Sequence, residues 1–228
     1  MTPQDLAPNE TTALSDAEAF ARDYLAPNVQ DWERIKAAPR ALFEQAGAVG
    51  LLGLVVPEEQ GGRGISYSAM LLILECFAKV DMAAAFALTV HNNHARAIAA
   101  SQSDQMIGAH LADMLAGRTV GAFLLTEPQG GSDATAITTT AVSDGDDLII
   151  NGEKAWITNT PHADLLNLFA QVAVGEHNTL GNTGGTPGVL IHGNIIKRQF
   201  NIGRIGRTFF QNRLPFKDIS GGFHIGGK

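Results

Sequence analysis

The sequence has one cysteine and no long apolar run, and both shortages narrow the kind of protein it can encode. Cys76 stands alone among 228 residues, so no disulfide can form within the chain and a reducing compartment is expected. The first residues lack the basic and then apolar segments of a secretory signal, and no apolar stretch is long enough to span a bilayer. We therefore expect a cytoplasmic protein without a membrane partner.

Positive charge is also scarce. The chain carries 16 Lys and Arg residues against 23 Asp and Glu residues, for a net charge of −7. A surplus of carboxylates repels nucleic acid and anionic lipid, so neither is an expected partner. The hydrophobic share of 45% is typical of an ordinary globular protein rather than a disordered or fibrous one.

The first half of the chain, residues 1–117, has the composition and periodicity of a helical domain. Ser15–Glu18 resembles a helix start, and Pro27 is expected to interrupt that helix. The segments 66–79 and 83–100 are apolar over much of their circumference. This pattern predicts helices that are buried against one another.

The second half, residues 118–228, shifts to Thr, Val, Ile and Phe in short runs separated by Gly, Asp, Asn and Pro, which predicts a mostly β domain. Asn151 and Gly152 lie between two such runs. Because Asn-Gly readily adopts the positive φ angles of a tight turn, a hairpin is predicted there. Residues 181–188 hold four glycines and a proline, which favours a surface loop.

Two segments of the second half form ordered motifs. Phe123–Asp133 reads FLLTEPQGGSD and Asn151–Asn159 reads NGEKAWITN. Both resemble signatures of the acyl-CoA dehydrogenase family at the spacing expected between them, and residues 50–64 resemble the N-terminal helical domain of that family. The resemblance covers nearly the whole chain and implies an α+β fold, in which an all-α domain is followed by a β-barrel-like middle domain.

The resemblance also implies a flavin cofactor, FAD. A flavin ring needs an apolar or aromatic wall and a few placed donors. Side chains two apart on a strand share a face, so Trp156 and Thr158 are expected to project to one side. In the family, the tryptophan lies against the flavin face turned away from substrate, and the threonine hydroxyl bonds near the nitrogen that accepts hydride. Ile157 lies between them and belongs to the same predicted site.

Residues of the first motif complete the expected site. By resemblance, Thr126 and the backbone around Phe123 and Leu125 meet the pyrimidine edge of the flavin. Gly130 and Gly131 allow main chain to approach a ligand closely. Ser132 is expected to contact the pantetheine arm of a bound thioester.

No catalytic residue is predicted in this chain. Oxidation of a saturated thioester needs a base for the α-proton while hydride leaves the β-carbon. In the family a glutamate of a C-terminal helical bundle supplies that base, and the sequence stops at Lys228, about where the bundle would begin. Glu127 and Glu153 belong to structural turns of the family pattern and are not assigned to catalysis.

Other candidate sites have weaker support. His91 and His94 lie one helical turn apart without a third ligand at a helpful spacing, so a helix-surface or interdomain role is favoured over a metal site. Gly61–Gly64 does not join a strand to a helix, and a turn is favoured over phosphate binding. Scattered basic residues could meet CoA phosphates, but charges in a β region are usually solvated. These are Lys197, Arg198, Arg204, Arg207 and Arg213.

The leading interpretation is an FAD-dependent acyl-CoA dehydrogenase, or its N-terminal portion, that introduces an α,β double bond into an acyl thioester. Its expected partners are acyl-CoA or an acyl-carrier thioester, an electron acceptor such as an electron-transfer flavoprotein, and other subunits in a homo- or hetero-oligomer. Without a bundle, apolar surface on the N-terminal helices should be exposed. The alternatives are a non-catalytic partner subunit and a related flavoenzyme that acts on a carrier-protein thioester or on oxygen.

Overall fold

The fold was obtained as a computed structural model. It describes residues 5–101, 104, 107–144, 147–173, 189–192, 201–202, 207–215 and 224–225. The chain divides into two compact units. The helical unit comprises residues 1–100 and 107–120, and the sheet unit comprises residues 101–106 and 121–228.

Helices make up the first unit, as the composition predicts. Both apolar segments are helices that begin at a side-chain cap: Ser66 accepts a hydrogen bond from the Ala69 N–H, and Asp81 accepts one from the Ala84 N–H. The described α-helices are α1 Pro8–Phe20, α2 Ala26–Ile35, α3 Ala41–Ala48, α4 Tyr67–Ala78, α5 Met82–Ala99 and α6 Ala112–Leu115. Shorter turns are π-helical at Ala21–Leu25 and Ile107–Leu111 and 3₁₀ at Glu58–Gln60.

Two predictions about the first helix are wrong. α1 begins at Pro8, not at Ser15, because proline needs no N–H partner in a first turn and the Glu10 carboxylate accepts the Ala7 N–H at 2.9 Å. Pro27 does not end the helical path. The π-helical turn Ala21–Leu25 precedes it and leads directly into α2, so the missing N–H of Pro27 falls in a first helical turn, where it is tolerated.

The core of the helical unit is closed by a buried amide. Asn92 on α5 is 1% exposed. Its Oδ1 accepts the Leu54 N–H at 3.0 Å, and its Nδ2 donates to the carbonyls of Leu51 and Leu88 at 2.9 and 3.0 Å. These bonds fasten the loop that follows α3 to α5 and leave no polar atom of the amide unsatisfied.

Strands make up the sheet unit. They are β1 Gly121–Leu124, β2 Thr140–Asp144, β3 Asp147–Ala155, β4 Leu165–Ala173, β5 Val189–His192, β6 Asn201–Ile202, β7 Arg207–Pro215 and β8 His224–Ile225. The order in this eight-stranded sheet is β6-β7-β3-β2-β4-β5-β8, and β1 pairs in parallel with β4. The helical unit followed by this sheet confirms the predicted fold class.

The hairpin predicted at Asn151 and Gly152 is wrong. Both residues lie inside β3, which pairs with β2 on one side and β7 on the other. The chain reverses between Asp144 and Asp147, which pair with each other. Gly152 has a different role: a Cβ there would lie 2.3 Å from the Thr139 Oγ1, so a glycine permits the close approach. Pairing on both sides overrides the local turn preference of Asn-Gly.

Some predictions fall elsewhere. The glycine-rich segment 181–188 and the basic residues Lys197, Arg198 and Arg204 lie outside the described residues. Arg207 and Arg213 lie on β7. Among the helices that the structure describes, none is both long and apolar enough to cross a lipid bilayer.

Candidate functional site

The two sequence motifs meet in the sheet unit. The backbone N–H of Ala155 donates to the carbonyl of Thr126 at 3.0 Å, and the Lys154 Nζ donates to the carbonyl of Leu125 at 3.0 Å. The end of β3 therefore lies directly against the segment that follows β1. This contact brings together Thr126 and Trp156, which were both predicted to belong to the flavin site.

A buried ion pair lies beneath this junction. The Lys154 Nζ is 2.8 Å from the Glu127 Oε1, and the two side chains are 0% and 1% exposed. The Glu127 carboxylate also accepts the backbone N–H groups of Thr138 and Thr139 at 2.6 and 2.9 Å. Both threonine hydroxyls and the Gln129 amide donate to it as well. Both carboxylate oxygens are thus fully used as acceptors.

These donors decide the charge state of the pair. Burial alone would raise the pKa of Glu127, but the hydrogen bonds from Lys154, Thr139 and Thr138 outweigh burial and hold that pKa well below its usual range. Burial acts to lower the pKa of Lys154, and the carboxylate opposes that effect. Both partners of the Lys154 nitrogen are acceptors, so we assign a charged ammonium and a charged carboxylate at neutral pH.

Trp156 is the most exposed large apolar residue given by the described side chains. It is 77% exposed and has a φ of 60°. A left-handed backbone is rare for a bulky residue and recurs at functional sites. The expectation that Trp156 and Thr158 lie on a strand and project from the same face of it is wrong, because β3 ends at Ala155 and both residues belong to the turn that follows.

That turn is held by its own hydrogen bonds. Asn159, with a φ of 69°, donates from Nδ2 to the carbonyl of Gly121 at 3.2 Å, and the Thr160 hydroxyl donates to the carbonyl of Ile157 at 2.7 Å. Ile157 and Thr158 are half-buried. The turn therefore connects the end of β3 to the start of β1 and presents Trp156 outward.

The other predicted residues lie around the first motif. The rings of Phe123 and Phe169 have centroids 4.6 Å apart, and Leu125 and Thr126 are half-buried beyond the end of β1. A Cβ on Gly131 would lie 3.1 Å from the Thr126 Cγ2, which indicates a close backbone approach. Ser132 follows in the exposed part of the loop.

Several residues of this arrangement were not assigned a role from the sequence. Lys154 and Asn159 lie inside the second motif, and Thr138 and Thr139 lie between the motifs. The available signal was a lysine within an otherwise strand-like run in one motif and a glutamate at the strand end of the other. Such charges in buried elements are normally paired.

The two histidines of α5 are not exposed on a helix surface, so that alternative of the interpretation favoured from the sequence is wrong, and the interdomain alternative stays a prediction. His91 and His94 are 0% and 1% exposed. The His91 Nε2 lies 3.0 Å from the carbonyl of Met114, and burial lowers the pKa of His91 to about 4. Within the described part of the chain, no group of three or more His, Cys, Asp or Glu side chains could hold a metal ion.

Large apolar side chains are exposed on the helical unit. Two of them lie one helical turn apart on α4 and two lie one helical turn apart on α5, so each pair forms a stripe on its helix. They are Tyr67, Leu71, Met82 and Phe86, which are 50 to 69% exposed.

Comparison with known proteins identifies the family. Residues 8–118 match the profile of the N-terminal domain of acyl-CoA dehydrogenases, and residues 122–219 match the profile of their middle domain. Together the two profiles span most of the sequence, in the order in which the helical and sheet units occur. The chain belongs to the acyl-CoA dehydrogenase family.

Individual relatives agree with this assignment. An acyl-CoA dehydrogenase of Bacillus subtilis is 32% identical over 227 residues, covering 90% of this chain and 57% of the relative. Benzylmalonyl-CoA dehydrogenase of Aromatoleum aromaticum is 33% identical over 170 residues, covering 72% and 44%. A glutaryl-CoA dehydrogenase of Mycobacterium smegmatis, solved in complex with FADH2, superposes with a TM-score of 0.81 at 25% identity, covering 98% of this chain and 58% of that chain. The present chain thus spans about half the length of these relatives.

Proposed function

We propose that this chain binds FAD and provides part of the active site of an acyl-CoA dehydrogenase that introduces an α,β double bond into an acyl thioester. The observation that carries the proposal is the exposed Trp156 in a left-handed backbone beside Thr126. An indole face open to solvent at a strand end is available to a planar ligand, because covering it would gain the hydrophobic free energy of its exposed area.

The residues present fit a flavin. Trp156 offers a flat apolar surface, and Thr126 and Thr158 offer hydroxyl groups in segments joined by the Ala155 to Thr126 hydrogen bond. Backbone groups at Phe123, Leu125 and Ile157 lie in the same two segments and would meet the polar edge. When bound, the flavin would supply a hydride acceptor.

The role of this chain's residues is to bind and orient. Trp156 would cover one face of the ring, which excludes water from that face. Thr158 would donate a hydrogen bond, and Ser132, on the exposed loop beyond Gly131, would contact the pantetheine arm of the substrate. None of the residues of this chain is assigned as the catalytic base.

The substrate class follows from the family, and its members' names refer to CoA thioesters. We propose acyl-CoA as substrate and an electron-transfer flavoprotein as electron acceptor. A thioester on an acyl-carrier protein is the alternative substrate, and oxygen is the alternative acceptor. Bleaching of the flavin by acyl-CoA but not by acyl-carrier substrate would favour the first interpretation, and the reverse pattern would favour the second.

Association with other subunits is part of the proposal. The exposed stripes of α4 and α5, with Phe86 56% and Met82 69% exposed, favour a homo- or hetero-oligomer. The proposed cytoplasmic location rests on a different observation, the single cysteine of the sequence. The stripes also favour the second candidate function, a non-catalytic partner subunit. A chain that co-purifies with a fuller homologue and shows no turnover alone would support that candidate.

The test is FAD binding by equilibrium dialysis. Wild-type protein should retain FAD, and Trp156→Ala should weaken binding by about tenfold or more, the order of effect that an aromatic stacking contact of 1 to 3 kcal/mol carries. Ile35→Ala removes an exposed apolar side chain of α2, 57% exposed and outside the stripes of α4 and α5, and is the control, which should leave affinity unchanged. A wild-type protein that takes up no FAD would overturn the proposal.

A further inference from the structure

The ion pair between Lys154 and Glu127 has no role in the proposed flavin binding or in the proposed reaction. Neither side chain reaches solvent, since they are 0% and 1% exposed. Neither can therefore serve as an acid or base for a bound substrate without rearrangement. Buried ion pairs seldom stabilise a fold better than apolar residues of similar volume would, so this pair requires another explanation.

The contacts of the pair supply that explanation. Lys154 holds the carbonyl of Leu125, and Glu127 holds the N–H groups of Thr138 and Thr139. One pair thus ties three segments of the sheet unit: the residues after β1, the residues before β2 and the end of β3. These segments flank or contain each residue proposed to contact the flavin.

Few residues separate the ion pair from Thr126 and Trp156 along the chain. Lys154 is separated from Trp156 by Ala155 alone, and the N–H of Ala155 bonds the carbonyl of Thr126. Glu127 directly follows Thr126 and opens a tight turn, in which the N–H groups and carbonyls of Glu127 and Gly130 bond each other at 3.0 Å. A displacement of either charged side chain therefore moves Thr126 or Trp156 through at most two residues.

We infer that Lys154 and Glu127 are positioning residues for the flavin surface, which fix Trp156 relative to Thr126 before any cofactor binds. This inference rests on the proposed function for its role in flavin binding. The rigidity of Trp156 in the cofactor-free protein is independent of that function and is measurable alone.

A single-tryptophan protein makes the measurement possible. The chain has two tryptophans, Trp32 in α2 and Trp156, so Trp32→Phe leaves Trp156 as the only reporter. In that background Glu127→Gln with Lys154→Met removes both charges together and leaves no unpaired buried ion. The matched control is Glu75→Gln with Lys79→Met, which makes the same chemical change in an exposed pair at the C-terminal end of α4 with the same N–O distance of 2.8 Å.

Two readouts are expected to separate the variants. In the cofactor-free protein, the fluorescence anisotropy of Trp156 should fall in the Glu127/Lys154 double variant and stay unchanged in the control. FAD affinity by dialysis should fall by about tenfold or more, the loss typical when supporting hydrogen bonds are removed behind a binding residue. Far-ultraviolet circular dichroism and thermal unfolding identify any variant that fails to fold.

The outcomes are distinguishable. Unchanged anisotropy and unchanged FAD affinity in a folded double variant would overturn the inference. If the wild type binds no FAD but the double variant still has a lower anisotropy than the control, the proposed function is overturned. The positioning role of the ion pair is then retained. If the double variant does not fold, Glu127→Asp, which keeps the charge but shortens the side chain by one methylene, is measured by the same anisotropy. The inference predicts a lower value than that of wild type, and an equal value would overturn it.

Discussion

The helical unit and the sheet unit bury polar groups in different ways. Inside the helical unit Asn92 and His91 are buried as neutral groups: Asn92 bonds three backbone groups, and His91 bonds the carbonyl of Met114. The Glu10 carboxylate of that unit keeps 7% exposure. Inside the sheet unit the charged side chains of Glu127 and Lys154 are buried as a pair, in addition to neutral side chains such as Thr139 and Asn167. A neutral amide with satisfied partners costs little to bury, whereas two charges cost several kcal/mol each before their attraction is counted.

The difference indicates two tasks. The polar groups of the helical unit fasten nearby backbone segments to a helix, which is a structural task that neutral groups perform well. The charged pair of the sheet unit lies where both family motifs meet, and it holds three segments at once. A charged centre can bind many donors in one place, as the Glu127 carboxylate does, and this favours one arrangement of the segments over others.

The largest expected loss of stability comes from removing one partner of the buried ion pair. Lys154→Met leaves Glu127 buried without its cation, so the sheet unit should lose about 3 kcal/mol or more of unfolding free energy. Urea denaturation followed by far-ultraviolet circular dichroism measures it. Lys79→Met breaks the exposed pair at the C-terminal end of α4 and should have no measurable effect. Equal losses in both variants would contradict the distinction between buried and exposed pairs.

A smaller effect concerns the neutral histidine of the helical unit. The folded pKa of His91 is about 4, below the value near 6.5 of an unfolded histidine, so the unfolded chain binds a proton first as pH falls. The contribution of neutral His91 to the free energy of unfolding should be fully present above pH 6.5. It should decline by on the order of 2 to 3 kcal/mol as pH falls to about 4. The difference between wild type and His91→Asn across this window, by denaturation at several pH values, isolates the contribution. Parallel profiles would show that His91 does not titrate in this way.

The next effect tests the packing of β3 against the residues before β2. Gly152→Ala would place a Cβ 2.7 Å from the Thr139 Cα, and this overlap should cost about 2 kcal/mol. Because Thr139 also bonds Glu127, FAD affinity should fall as well. Gly108→Ala in the helical unit is the control, since no heavy atom lies within 4 Å of its added Cβ. A Gly152→Ala protein as stable as wild type would mean that the strand can shift without cost.

The smallest effect lies in the helical unit alone. Asp81→Ala removes the cap of α5, whose carboxylate accepts the Ala84 N–H, and should cost about 1 kcal/mol. Asp81→Asn retains an acceptor and should recover most of the loss. FAD affinity should be the same in both variants. A change in affinity would show that the helical unit contributes to cofactor binding.

Much of the helical unit could be predicted from its sequence, because each helix there is encoded locally. The apolar circumference of segments 66–79 and 83–100 and their capping residues lie within a few positions of each helix start. The errors arose where one local signal met a stronger neighbour. Pro27 predicts the end of a helix, but the π-helical turn before it leads directly into a new helix. Pro27 then lies in the first turn of that helix, where a backbone N–H would have no partner.

The sheet unit was less predictable, because its decisive contacts join distant residues. The motifs located Thr126 and Trp156, yet Lys154 and Glu127 are 27 positions apart and meet only through the sheet. Asn151 and Gly152 have strong turn character, but pairing with β2 and β7 keeps them in a strand. The left-handed backbone of Trp156 also has no sequence signal of its own, since tryptophan rarely adopts it.

The most direct test of the account is the excited-state lifetime of Trp156 during FAD titration of the Trp32→Phe protein. A flavin stacked on the indole should shorten the lifetime in a saturable manner, at the FAD concentrations at which dialysis shows binding. FAD that binds without changing the lifetime would place the cofactor away from Trp156 and contradict the proposed site.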